Sequence, residues 1–188
     1  YGSDDVPCDT SDTEVFKKLA VNLPEDAFWI TSHLSRTRHT ADTIRSMGLN
    51  CMTPIIEAQI GEQNFGEGQG LKWAEMEKRD PVTYHNFWKD PVKGRPPNGE
   101  SFNDQIIRVS SLIDKYNTAK AGQTIVAVSH AGAIRAAIVH ALSVSPAIGM
   151  SFSIDNLSLT CLEYVEGGLL RGRGGDCRVV CVNRVMDK

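Results

Sequence analysis

Short apolar runs alternate with segments of helical period along most of the chain, the pattern that parallel α/β domains produce. Ala27 to Thr31 (AFWIT) predicts a strand. A helix is expected from about Ser35 to Met47, with Thr37, Ala41 and Ile44 on one face and Gly48 placed to end it. Ser101 stands where it can cap another helix, in which Phe102, Ile106, Val109, Ile113 and Tyr116 recur at helical spacing for about four turns. Thr124 to Ser129 (TIVAVS) is β-branched and almost wholly apolar, which predicts a strand buried on both faces, and the run Ala131 to Leu142 predicts the helix after it. Further on, Leu157 to Val165 and Cys177 to Asn183 are β-rich and flank the Gly-heavy segment Glu166 to Gly175, which reads as a flexible hairpin-type loop. The least regular stretch, Leu71 to Gly99, sets Trp73, Tyr84, His85, Phe87 and Trp88 among prolines and charges. It reads equally as a lid over a site or as an excursion packed by its own aromatics.

Composition narrows the class. A length of 188 residues suits one domain with one core, and 41% hydrophobic with 23% charged residues is ordinary for a soluble globular chain. A net charge of -3 removes the electrostatic case for nucleic acid or an anionic membrane as partner. The longest apolar stretch, Ala131 to Leu142, is broken by Arg135 and His140 and falls short of the roughly 20 residues a span requires. Five cysteines is an odd number, and Cys177 and Cys181 on one strand would lie about 13 Å apart, beyond disulfide reach; the expectation is reduced thiols and a cytoplasmic protein. No signal-type segment opens the chain, and Tyr1 reads as the start of a fragment.

Phosphate-loop, serine-elbow and dinucleotide motifs are absent, and neither the histidines nor the cysteines have metal-ligand spacing, so no metal or cofactor is implied. What remains lies where parallel α/β folds put their sites. Ser129-His130-Ala131-Gly132 joins the carboxyl end of a strand to the amino end of a helix, where free amides favour an anion. Ala131 and Gly132 are small enough to let one approach; alternatively, His130 caps the helix or fills the core. Arg36 opens the helix after the other strand. There it makes either a surface salt bridge or a bidentate grip on phosphate. Glu62, in the loop Ile60 to Gly70, is either solvated or a carboxyl whose pKa a neighbouring phosphate would raise, fitting it to donate a proton near neutral pH.

Taken together, these residues resemble the histidine phosphatase superfamily, also called phosphoglycerate mutase-like. Ser32 to Ala41 is similar to its S-x-L-x-R-x-x-x-T-A segment, Glu62 to Gly70 to its E-x-x-F-G-x-x-x-G loop, Pro97 to Ser101 to its P-x-G-E-S turn, and Val128 to Gly132 to its second histidine motif. Asp5-Val6-Pro7, Asp155-Asn156 and Asn183 sit in the expected order. The resemblance implies an α/β three-layer sandwich with a mostly parallel central sheet flanked by helices, in a single domain over 1–188 with 71–99 as a lid-like insertion. It implies a metal-independent phosphatase that hydrolyses a small phosphate monoester through a phosphohistidine. Glu62 and His130 would be catalytic, with His130 as an imidazolium, and Arg36 and the Ala131 backbone would bind phosphate. The family's Arg-His-Gly or Arg-His-Ala tripeptide is missing; Arg38-His39-Thr40 lies inside a helix, so the nucleophile and its strand are expected to precede Tyr1. The short interval between Glu62 and His130 favours phosphatase over a cofactor-dependent mutase, while an inactive member that binds a phosphorylated ligand is the rival from another class. Oligomeric state stays open, a homodimer included.

Overall fold

The computed structural model describes residues 2–186. Its centre is a parallel three-stranded sheet of order β2-β1-β3, built from β1 (Phe28–Thr31), β2 (Ile55–Ile56) and β3 (Ile125–Val128). β1 pairs with both neighbours, Ile30 opposite Ile55 on one side and Ala127 on the other. β4 (Leu159–Tyr164) and β5 (Cys177–Arg184) form a separate antiparallel ladder closed by the expected hairpin. Asp155 and Asn183 brace its open end: Asn183 Oδ1 accepts from the Asp155 amide at 2.7 Å, and Asn183 Nδ2 donates to Asp155 Oδ2 at 2.9 Å.

The alternation along β1 builds the layers. Trp29, fully buried, points to one side and packs with α1 (Thr13–Asn22) and α2 (Ser35–Ser46) through Phe16, Leu19, Ala41 and Ile44. Phe28 and Ile30 point to the other side, against Leu112 and Tyr116 of α5 (Phe102–Ala119). α6 (Ala131–Leu142) packs on α5 through Ala133, Ala136 and Val139, with Phe102 and Val109 opposite. Small residues on that face let the two helices come close. The molecule is a mixed α/β fold with a parallel central sheet between helical layers, as expected.

Local signals hold at several ends. Gly48 takes φ +105°, just past α2, where a side chain would be strained. Ser101 caps α5 in a full capping box: its Oγ accepts from the Asp104 amide at 3.2 Å, and Asp104 Oδ2 accepts from the Ser101 amide at 2.7 Å. The elements not foreseen include α1, capped by Asp12 and anchored by Phe16, Leu19 and Ala20, and the two-residue β2. β3 departs from expectation: Ala127 is exposed and its neighbours are half-buried, because among the described residues β3 pairs on one edge only.

Segment 71–99 folds into α3 (Trp73–Arg79) and α4 (Pro81–Lys89), with Pro81 in the first turn of α4 and Asp80 accepting from the Thr83 amide at 3.0 Å. Its aromatics pack on one another and on Phe65: Trp73 stacks on Phe87 at 6.0 Å and meets Trp88 edge-on at 4.9 Å and Phe65 at 5.8 Å. Trp73 and Trp88 nonetheless stay 43% and 45% exposed. A hollow of about 230 Å³ opens beside them, lined in part by Gly2, Phe65, Gln69, Trp73 and Met76.

The loop that carries Glu62 is tied down at Gly66, whose φ of +53° would place any Cβ against the Pro97 carbonyl and the Gly99 amide. Gly66→Ala is expected to lower stability by about 1–3 kcal/mol from backbone strain alone. A urea midpoint equal to that of the unmodified chain would contradict this role.

Candidate active site

Three chain segments bring their ends together at the amino terminus of α6. β1 ends in Ser32, fully buried; α2 begins one turn later and carries Arg36; β3 runs through Ser129 into His130, the residue that precedes α6. His130 has extended backbone, φ -134° and ψ 159°, but its side chain makes no capping bond. It turns inward instead, 7% exposed, and both ring nitrogens are engaged. Arg36 Nε donates to Nδ1 at 3.3 Å, and Nε2 lies 2.7 Å from Ser32 Oγ. An Nδ1 that accepts from a guanidinium carries no proton, so the proton sits on Nε2 and is donated to Ser32. Of the two alternatives for His130, the helix cap is not made, whereas the ring is buried and hydrogen-bonded as a core histidine would be.

The expected imidazolium is also corrected for this state. Burial, then the charges of Arg36, His33 and Arg108, push His130 down to about 3, so the ring is neutral. Arg36 itself is half-buried, and its remaining donors go to backbone carbonyls, Nη1 to Asp4 at 2.5 Å and Nη2 to Gly2 at 2.7 Å. No carboxylate lies within ion-pair distance of it among the described residues, so the surface salt bridge is not made. Asp5 serves the amino end of α2 in its place, its Oδ1 accepting from the Ser35 amide at 2.6 Å. Bonds from Ser35 hold its carboxyl below the usual range, with help from the charges of Arg38 and Arg36.

Glu62 reaches the same helix end from the other side. Its Oε1 accepts from the Gln63 amide at 2.9 Å and from Gln105 Nε2 at 3.2 Å, and its Oε2 accepts from the Gly132 amide at 3.3 Å. Gly132 is small for that reason: a Cβ there would strike Glu62 Oε1 and stand 2.7 Å from Gln105 Oε1, so its smallness serves these side chains. Ala131 is half-buried beside them, its amide among the first-turn donors for which the helix holds no acceptor.

Three further side chains, those of Ser129, Arg108 and Glu100, fasten the Glu62 loop. Ser129 Oγ donates to the Ile60 carbonyl at 2.8 Å. Arg108 donates to both carboxylate oxygens of Glu100, at 3.1 and 2.7 Å, and to the carbonyls of Gln59 and Glu62, at 2.5 and 3.2 Å. Glu100 in turn accepts from the Asn64 amide at 3.0 Å. The only local signal for this clamp was the P-x-G-E-S turn that contains Glu100; nothing local marks Arg108 or Gln105. His39, by contrast, is exposed on α2 and lines a separate surface hollow with Cys8 and Asp42.

The fold and this cluster define a class, and comparison with known proteins names it. The chain matches the histidine phosphatase superfamily (branch 1) over residues 2–171 and belongs to that family. It is 31% identical over 140 residues to the "Bifunctional protein Rv2228c" of Mycobacterium tuberculosis, a match covering 74% of this chain and 37% of that protein. The chain thus spans little more than a third of that relative. It is 25% identical over 176 residues to the "Metal-independent phosphoserine phosphatase" of Arabidopsis thaliana, covering 85% of this chain and 74% of that one. The alpha-ribazole phosphatase of Shigella flexneri superposes with a TM-score of 0.79 at 21% identity, over 100% of this chain and 90% of that chain, which shows the shared fold.

A histidine held neutral when folded, against an ordinary value of 6.5 when unfolded, makes the unfolded chain bind more protons between about pH 3 and 6.5. Stability that His130 contributes is therefore present above pH 6.5 and is lost as pH falls toward 3, with a slope of at most about 1.4 kcal/mol per pH unit. Urea midpoints of the parent chain and of His130→Gln should converge over this window. Parallel profiles would contradict a buried neutral ring.

Proposed function

We propose that this chain is the phosphate-handling body of a metal-independent phosphatase acting on a small phosphate monoester through a phosphohistidine intermediate. The observation that carries the reading is the meeting of Arg36, His130 and Glu62 at the amino end of α6, with a guanidinium that has no carboxylate partner among the described residues. A tetrahedral dianion there would draw on Arg36, on the Ala131 amide and on the helix end. Its charge would favour protonation of His130, whose ring lacks an anionic neighbour. The imidazolium of the family mechanism thus belongs to the phosphate-bound form.

In the first step an imidazole lone pair attacks phosphorus, the bond to the ester oxygen breaks, and Glu62 gives its proton to that oxygen. In the second step Glu62 takes a proton from water as the water attacks phosphorus, and the phosphorus–nitrogen bond breaks to release inorganic phosphate. Arg36, His130 and the Ala131 amide stabilise the equatorial oxygens in both. Fixed cations fill the role that metals play elsewhere. In this reading the attacking imidazole comes from a further segment of the parent protein beside the β3 edge that pairs with nothing among the described residues. The 71–99 segment acts as the lid, with the hollow beside Trp73 receiving part of the leaving group. Five cysteines, unpaired among the described residues, suit a reducing cytoplasm.

One observation favours a second reading. Both nitrogens of His130 are engaged by side chains of this chain, a closed arrangement that suits a member which binds a phosphorylated ligand without turnover. A panel of phosphate monoesters with acid-labile phosphoenzyme trapping separates the two. In the enzyme, Glu62→Gln is expected to cut turnover of alkyl phosphates about 100-fold or more with folding unchanged, and Arg36→Met to weaken inhibition by inorganic phosphate. Unchanged rates in Glu62→Gln would remove the proton-transfer role, and phosphate binding without any turnover would favour the ligand-binding reading.

A further inference from the structure

Gln105 stands out in the interior. It lies in the first turn of α5, is 0% exposed, and its amide oxygen is one of four buried side-chain polar atoms without a hydrogen-bond partner among the described residues. Its Nε2 is fully used, donating to the Gly61 carbonyl and to Glu62 Oε1, both at 3.2 Å. Those two partners fix the amide orientation, since the reverse would set an oxygen against a carbonyl and a carboxylate. An orphaned buried acceptor costs stability and calls for a reason. The reason lies one atom away. Glu62 Oε1 and Gln105 Oε1 crowd the same point over Gly132, so a proton on the Glu62 carboxyl can reach the amide oxygen by a small turn of the carboxyl group.

We infer that Gln105 is a positioning residue for Glu62 in both protonation states: its N–H holds the carboxylate, and its C=O accepts from the acid. This rests on the reading of Glu62 as the proton-transfer group. The amide holds the acid form in place before the leaving oxygen takes the proton, and holds the base form while water gives one up. A plain structural glutamine would need neither a neighbour that titrates nor a spare acceptor beside it.

The test uses Gln105→Met, of similar size, in the full-length protein, with circular dichroism to confirm folding. Values of kcat/KM, which stop at phosphoryl transfer to the enzyme, are compared for an alkyl phosphate and for 4-nitrophenyl phosphate. The nitrophenolate leaves without a proton, so the variant should lose tenfold or more on the alkyl ester and stay within about threefold on the aryl ester. Equal losses on both, or none on either, would overturn the inference. A second measurement needs no turnover and so separates this inference from the catalytic reading: the Gln105 side-chain amide resonances should move with pH along a single titration, and Glu62→Gln should flatten it. Resonances that stay still in the parent chain, or move equally in Glu62→Gln, would overturn it whatever the protein does to phosphate esters.

Discussion

A directed chain of hydrogen bonds passes through the centre of this molecule. Arg36 gives to His130, His130 gives to Ser32, the Ser32 hydroxyl lies 2.9 Å from Thr37 Oγ1, and Thr37 gives to the Leu34 carbonyl at 2.9 Å. The chain joins the end of β1, the first turn of α2 and the entry to α6, three segments with no covalent reason to meet. Its direction is set at one atom. A protonated Nδ1 would point a donor at a guanidinium, so ring charge and local geometry form one constraint, and the neutral histidine is the condition under which the three ends fit. The anion proposed to bind here would change both at once, because it would offer Arg36 a better acceptor and offer the ring a counter-charge.

The surrounding charges follow from the same constraint. Two helix ends are exposed to this region, and each is answered by a carboxylate that arrives from elsewhere: Asp5 at α2 and Glu62 at α6. Neither touches Arg36, so the positive charge concentrates between them. The Glu62 carboxylate is held by Gln63, Gln105 and Gly132, and the Arg108–Glu100 pair fastens the loop that carries it from α5. At 23% and 19% side-chain exposure the pair is sheltered enough to hold geometry, and its backbone partners, Gln59 and Glu62, are the loop itself. A cation placed outside the site fixes a carboxylate inside it.

The elements around the site were readable because their signals are local. Ser101 and Asp104 make a cap within four residues, and the α6 face of Ala133, Ala136 and Val139 repeats at helical spacing. Arg36 and His130 stood out because a strand runs straight into a helix at each, a place where topology alone puts side chains near one another. Gln105 and Arg108 did not stand out, since the Glu62 groups they hold lie 43 and 46 residues away and no short-range pattern encodes those contacts. Gly132 was noticed for a different reason from the one that holds: its smallness seemed to admit an anion, whereas Glu62 and Gln105 occupy the space above it. Cys161 and Cys181, set opposite each other across β4 and β5, were hidden for the same reason of distance along the chain.

β3 shows the opposite mismatch, a local pattern stronger than its surroundings. Thr124 to Ser129 has the composition of a strand enclosed by neighbours, and β1, which has a partner on each edge, is buried as its residues require. Among the described residues β3 has one partner, and its exposure rises to match. Val126 and Val128 still face the α1–α2 core, which Leu157 and Leu159 also reach from β4 or just before it, so the two ladders share one apolar interior without sharing hydrogen bonds. A parallel strand with a bare edge is an unstable arrangement in general, because its peptide groups and its side chains both ask for cover. β3 itself runs on through Ser129 into His130, the residue that precedes α6. Through β3 the pairing with β1 and the seat of the His130 ring beside Ser32 become one condition, because the same strand that holds register with β1 delivers His130 to the end of β1.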